Sequence, residues 1–139
     1  MNLTRAEMTD RILAAIENPY TQIIAHPTGR LVMRREPFDY DMERVLDAAK
    51  KYGVAMECNA YPDRLDLKDS HLRMAKQRGV KIVISTDSHA TKHLAFMKYG
   101  VITARRGWIE KKDVINALPL AELKATLRAK PGAAKAAKK

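Results

Sequence analysis

The chain alternates between stretches of helical period and short, almost wholly apolar runs. Residues 4–17 predict a helix: Met8, Ile12 and Ile16 recur at four-residue spacing, Thr4 and Glu7 have capping-box spacing, and Asn18-Pro19 stops it. The run Gln22-Ile23-Ile24-Ala25 predicts a buried strand ending at the polar loop His26-Pro27-Thr28-Gly29-Arg30. Residues 40–52 are again helical, with Met42, Val45, Leu46 and Ala49 on one face and Gly53 as the stop. Val54 to Cys58 predicts a second strand, and 69–78 a helix stopped by Gly79. Val80 to Ser85 is the clearest strand, β-branched and nearly free of charge, and it ends at Thr86-Asp87-Ser88-His89. A helix over 91–99 stopped by Gly100, a fourth strand Val101-Ile102-Thr103-Ala104 ending at Arg105-Arg106, and helices near 110–117 and 120–129 complete the pattern.

Strand and helix thus alternate about four times. Apolar strands between helices predict an α/β fold with a parallel sheet covered on its faces, and in such folds chemistry gathers at the carboxyl ends of the strands. Each predicted strand does end in reactive residues: His26, then Glu57 and Asn59, then Asp87 and His89, then Arg105 and Arg106.

Composition narrows the partners. Twenty-six Lys and Arg against 16 Asp and Glu give a net charge of +10, which favours an anionic partner. The last ten residues, KPGAAKAAKK, hold four of those lysines and no acid. Residues 130–139 are expected to form a basic, disordered Ala/Lys tail behind a single domain over 1–129. No apolar run approaches a membrane span, and the start lacks the layout of a secretory signal, so a cytoplasmic protein with no membrane partner is expected. The single cysteine, Cys58, excludes an internal disulfide framework and reads as a small buried residue.

Several residues could do chemistry. In an extended chain Asp87 and His89 project to one side, as a carboxylate and an imidazole suited to divalent zinc, manganese or iron. From the tripeptide alone, a helix-capping Asp beside a loop His is the plainer reading. His26 holds the same topological position on another strand. Arg30 follows it in a loop where a guanidinium could grip a phosphate or simply be solvated. Glu57 lies in an otherwise apolar strand, and a charge there needs a metal or a partner, so it is either a ligand or an acceptor orienting one. Asn59 shares its face. His71 reads as a surface residue on its helix, His93 is left out of the metal set, and Trp108 reads as core or a packing lid. There is no Walker loop, GxGxxG, nucleophile elbow or HExxH, so a nucleotide-cofactor enzyme or serine hydrolase has no support.

In this order the strand-end residues, with the blocks AHPTGR (25–30), DRLDL (63–67), GVKIVISTDSHA (79–90) and MKYGVITARRGW (97–108), resemble the PHP (polymerase and histidinol phosphatase) family. The nearest likeness is to the PHP domain of bacterial family X DNA polymerases. That resemblance implies a distorted barrel of βα units with a trinuclear metal site at the strand ends. It implies hydrolysis of phosphate esters, of the 3′–5′ exonuclease or phosphatase type in the polymerase-linked members. It places His26, Asp87 and His89 at metal-ligand positions and Glu57 and Asn59 in a family motif. Arg30 joins Glu57 as a candidate for catalysis, and Arg30, Asn59, Arg105 and Arg106 are candidates for binding phosphate.

The family's H-x-H motif and bridging Glu lie upstream of the matching segment, and this chain contains no H-x-H. The expectation is therefore a partial PHP barrel, corresponding to the carboxyl-terminal half of the domain, that binds manganese, zinc or iron weakly and hydrolyses little alone. Two sheet edges would be uncovered, to be met by the missing half or by a second copy. DNA or another phosphate ester is the expected substrate. A noncatalytic basic nucleic-acid-binding remnant and an enzyme for small phosphate esters of the histidinol-phosphatase kind are the alternatives.

Overall fold

The computed structural model describes residues 3–128. Helix α1 (Arg5–Glu17) opens with the expected capping box: the Thr4 hydroxyl accepts from the Glu7 backbone N–H, and the Glu7 carboxylate accepts from the Thr4 backbone N–H. Strand β1 is short (Ile23–Ile24). Helix α2 (Met42–Tyr52) is capped by Asp41, which accepts from the Arg44 N–H at 3.0 Å, and ends at Gly53 with φ +68°. Strand β2 (Ala55–Asn59), helix α3 (Asp69–Arg78) and strand β3 (Ile82–Ser85) follow, α3 ending at Gly79 with φ +69°. These two left-handed stops are what glycine allows without steric cost.

The three strands form one parallel sheet in the order β1-β2-β3, with Ile24 beside Met56 and Glu57 beside Val83. Central β2 is buried along its whole length, while β3 alternates, Ile82 and Ile84 inward. The core joins Ile16 of α1, Val45, Leu46 and Ala49 of α2, Met56 and Cys58 of β2, and Leu72 and Ala75 of α3. Cys58 is fully buried and burial pushes its thiol up to about 12, so it is an inert packing residue.

The fourth strand is not formed. Residues 101–104 lie inside helix α4 (Met97–Arg106), which continues from a 3₁₀ segment, Thr91–Phe96. Gly100 does not stop that helix; it lets it approach the sheet. A Cβ built there would stand 2.6 Å from Ile84 Cγ2 and 2.8 Å from Ala60 Cβ. The β-branched pair that suggested a strand, Val101 and Ile102, is exposed on the helix. Arg105 and Arg106 consequently sit in a last helical turn rather than at a strand end. Beyond it are two single-turn 3₁₀ segments (Lys111–Asp113 and Ile115–Ala117) and helix α5 (Leu120–Arg128).

The outer edge of β3 is also partly covered. Val114 bridges Ile82, and the Asn116 amide accepts from the Ile84 N–H and donates to the Ile84 carbonyl, at 3.2 and 2.8 Å. The β1 edge has no such cover among the described residues, and Ile23 is exposed. The alternating pattern gives a mixed α/β architecture with a small parallel sheet of three strands among the described residues, not four. The tail at 130–139 lies outside the described residues. No described helix is long and apolar enough to cross a membrane.

Candidate functional site at the strand ends

Because the strands are parallel, their carboxyl ends open on one side of the sheet, and His26, Asn59 and Asp87 are carried there by β1, β2 and β3. Glu57 organises this end. It is 6% exposed, in a strand otherwise apolar at the level of the core, and its charge is matched by donors from all three strands. Oε2 accepts from the His26 backbone N–H at 2.7 Å, and Oε1 accepts from the Ser85 hydroxyl at 2.5 Å. The Asn59 amide completes the set at 3.5 Å. A buried carboxylate with this many donors is the arrangement that offsets its lost hydration.

Asn59, fully buried, sets the state of His26. Its Oδ1 accepts from the Tyr61 backbone N–H at 2.9 Å, which turns its amide nitrogen toward His26 Nδ1, 3.2 Å away. A neutral His26 accepting at Nδ1 carries its proton on Nε2. That nitrogen faces Asp87 Oδ2 at 3.9 Å. Both residues hold positive φ, +47° for His26 and +52° for Asp87, a conformation that side-chain-bearing residues seldom adopt and that the surrounding bonds must hold.

The turn at Asp87 also decides where His89 goes. The expectation of side-by-side projection assumed an extended chain, and at positive φ the chain is not extended. Asp87 faces His26 and Arg64, whereas the exposed His89 ring lies edge-on to Tyr61, centroids 6.3 Å apart. His89 Nδ1 is 2.6 Å from the Asp87 carbonyl, to which it donates, leaving Nε2 with a free lone pair. His93 packs against the same Tyr61 and stacks on Phe96, and its Nδ1 accepts from the His89 backbone N–H at 3.2 Å.

Arg64 is the residue the sequence pattern missed. Its Nε lies 3.3 Å from Asp87 Oδ2, so it, rather than Arg30, meets the strand-end carboxylate. The DRLDL block contains it, but nothing local gives it a partner. Arg30 instead donates its Nε to the Arg64 carbonyl at 2.6 Å and a terminal nitrogen to the Leu65 carbonyl, bracing that loop. Asp66, fully buried, accepts from the Thr28 N–H and hydroxyl and the Gly29 N–H at 2.8–3.1 Å, which ties the 26–30 turn to the same loop. Burial raises its carboxyl above the usual range, against the opposing pull of those bonds and of Arg30. Arg106 is drawn to Asp69 at 2.9 Å, and Arg105 is exposed in the last turn of α4. His71 is half-buried rather than a surface residue. Burial pushes it down to about 4, and its Nδ1 has no hydrogen-bond partner. Trp108 is 58% exposed and carries the Arg73 guanidinium 3.6 Å above its ring, so it is neither core nor lid.

A divalent cation fits this end of the sheet in kind: His26 and Asp87 present nitrogen and oxygen donors to each other, and His89 offers a free Nε2 nearby in sequence. In number the set is short, since among the described residues no three His, Cys, Asp or Glu side chains are grouped as a cation site. A cation taken at His26 Nε2 would also displace the proton there.

No family model matches the chain. Curated relatives do. Over 118 residues it is 45% identical to the DNA polymerase/3′-5′ exonuclease PolX of Bacillus subtilis, a match covering 85% of this chain and 21% of that protein. It is 31% identical over 114 residues to a probable phosphatase of a Thermoanaerobacter species, covering 78% of this chain and 44% of the relative. A probable phosphatase of Acetivibrio thermocellus matches at 33% over 91 residues, covering 62% and 35%. The chain spans about a fifth of the polymerase and less than half of these phosphatases.

Proposed function

Taking the chain as a PHP-type segment related to the family X DNA polymerases, we propose that it carries part of a phosphoester-hydrolysing centre at the carboxyl ends of its three strands. The observation that carries this reading is the meeting of His26, Glu57, Asn59 and Asp87, distant in sequence, through one network of hydrogen bonds and close polar contacts. The names of the relatives, a polymerase with 3′-5′ exonuclease and several probable phosphatases, support phosphate esters as the substrate class, with a DNA 3′ end as the finer reading.

In this reading His26 and Asp87 would hold a divalent cation, with His89 Nε2 as a further candidate donor. A bound divalent ion at such a place acidifies a water and offsets phosphoryl charge. The chain's own residues do the positioning. Glu57 fixes the backbone of His26, Asn59 fixes its ring, and Arg64 supplies positive charge beside Asp87 for a phosphoryl oxygen. Arg30 acts on this centre through the 64–65 carbonyls it holds, not by touching substrate. With two facing donors, cation binding is weak and hydrolysis by the chain alone slight.

Calorimetric titration of the full chain with zinc and with manganese tests the site. Weak binding with proton release, lost in Asp87→Ala, is expected. Binding indifferent to both Asp87→Ala and His26→Ala overturns the ligand assignment. Submicromolar binding with cleavage of a DNA 3′ end overturns the weak-site part.

A second reading, a noncatalytic nucleic-acid-binding segment, is favoured by the net charge of +10. Salt-sensitive DNA binding that survives chelation and His89→Ala, but disappears when residues 130–139 are removed, selects it over the first.

A further inference from the structure

Beside the strand-end centre, two clefts share the walls Arg30 and Lys68. One, of about 350 Å³, runs to Tyr99 and Arg106 of α4. The other, of about 270 Å³, runs to Arg35, Met33 and His71. Together they form a trough with four cations, Arg30, Arg35, Lys68 and Arg106, against two carboxylates, Asp69 and Glu36. Asp69 pairs with Arg106 through Nε and one terminal nitrogen, at 3.0 and 2.9 Å, so the pair adds no net charge and the exposed Arg106 keeps its second terminal nitrogen for an anion. Burial keeps His71 uncharged at neutral pH, so its unpartnered Nδ1 is a hydrogen-bonding group rather than a further charge.

Two of the cations are held in place. Arg30 is fixed by the 64–65 carbonyls, and Arg35 Nε donates to the Gly29 carbonyl at 2.8 Å. Each end of the trough presents an exposed apolar group: Tyr99 at one, with the Lys98 ammonium 5.0 Å from its ring, and Met33 at the other, 98% exposed. The wall contributed by α4 is Tyr99, Ile102, Thr103 and Arg106, with no acid among them. The trough reaches the strand-end centre through a single residue, since Arg30 holds the Arg64 carbonyl and Arg64 meets Asp87.

We propose that this trough is a binding track for single-stranded nucleic acid, with Lys68 and Arg106 meeting backbone phosphates and Tyr99 stacking on a base. Spaced cations with an accessible ring are the chemistry that holds a single strand irrespective of its sequence. A lone phosphate needs neither a second cleft nor a ring. The inference deepens the phosphoester reading, because Arg30 of the track braces the loop whose Arg64 meets Asp87 of that centre, but binding along it requires no cation and no hydrolysis.

The test is fluorescence anisotropy of a short single-stranded thymidine oligomer with the full chain in the presence of chelator. Lys68→Gln with Arg106→Gln is expected to weaken binding at least about tenfold at low salt and to reduce the slope of log affinity against log salt by about 1.4. Tyr99→Leu is expected to weaken it severalfold with the slope unchanged, a loss that bulk charge does not imitate, and with an unchanged thermal melt, which separates it from a folding defect. Lys111→Gln with Lys112→Gln, which removes equal charge elsewhere, and removal of residues 130–139 are expected to leave most of the affinity. Orthophosphate is expected not to compete.

Equal losses in the two double variants, unchanged binding by Lys68→Gln with Arg106→Gln, or tighter binding of the matching duplex overturns the track. Manganese binding, read by calorimetric titration, is followed separately. Its indifference to Asp87→Ala and His26→Ala counts against the phosphoester reading alone, and loss of oligomer binding with manganese binding retained counts against the track alone.

Discussion

The ends of β2 and β3 stand side by side and are built in opposite ways. At the end of β2, Glu57 and Asn59 are buried, and every polar atom that matters is tied to a neighbouring strand or loop. At the end of β3, His89 is exposed and, among the described residues, is held by its own loop and the Tyr61–His93 edge. Asp87, between them, is one-fifth exposed and shared between His26 and Arg64. The lesson is that the first half of the site is part of the core and the second is fitted to it. A buried carboxylate must be satisfied for the sheet to form at all, whereas an exposed imidazole can wait for a ligand.

That contrast is most directly broken by Glu57→Ala, which leaves the His26 N–H, the Ser85 hydroxyl and the Asn59 amide without their acceptor. A loss of about 3 kcal/mol in urea-unfolding stability is expected. A loss near zero would mean that the carboxylate organises nothing. Next comes Gly100→Ala. In an open helix this change stabilises by about 1 kcal/mol. Here the added methyl meets Ile84 and Ala60, at the ends of β3 and β2, and a net loss of about 1–3 kcal/mol is expected in the same measurement. A gain would show that α4 does not press on the sheet.

A smaller effect concerns pH. His71 falls from an ordinary 6.5 to about 4 on folding, so between those values the unfolded chain binds more protons than the native one. Its contribution to stability is present above about 6.5 and is lost as the pH falls toward about 4. Asp66, raised by burial, acts with the opposite sign just above the usual carboxylate range. Thermal melts of wild type and His71→Gln across this interval isolate the histidine, and the variant is expected to lose less stability on acidification. The smallest effect belongs to His89→Ala, expected to change stability by no more than about 0.5 kcal/mol. A loss comparable to that of Glu57→Ala would erase the distinction between the two strand ends.

Much of this was legible in the sequence because it depends on neighbours in the chain. The Thr4–Glu7 capping box, the glycine stops at Gly53 and Gly79, and the limits of α3 follow from local steric and hydrogen-bonding rules. The need of Glu57 for partners could be read from one charge in an apolar run. The false fourth strand shows where such rules end. Val101-Ile102-Thr103 carries β-branched residues after a glycine, and only the closeness of Ile84 and Ala60 explains why that glycine lies inside a helix. Arg64 and Asp66 were hidden for a related reason. Their partners, Asp87 and the Thr28–Gly29 turn, are remote in the chain, and nothing about a loop arginine or aspartate announces a distant acceptor or donor.

The sequence by itself determined the α/β alternation, the basic balance and the kinds of donor carried by each strand end, because periodicity, charge and residue chemistry are properties of the chain alone. Tertiary structure decided which donors meet. Parallel pairing brought His26, Glu57 and Asp87 to one edge, the left-handed turn at Asp87 sent its carboxylate one way and His89 another, and burial made Glu57 and Asn59 the rigid half of the pair. Distances between residues remote in sequence exist only once the chain has packed, and these side chains interact through such distances.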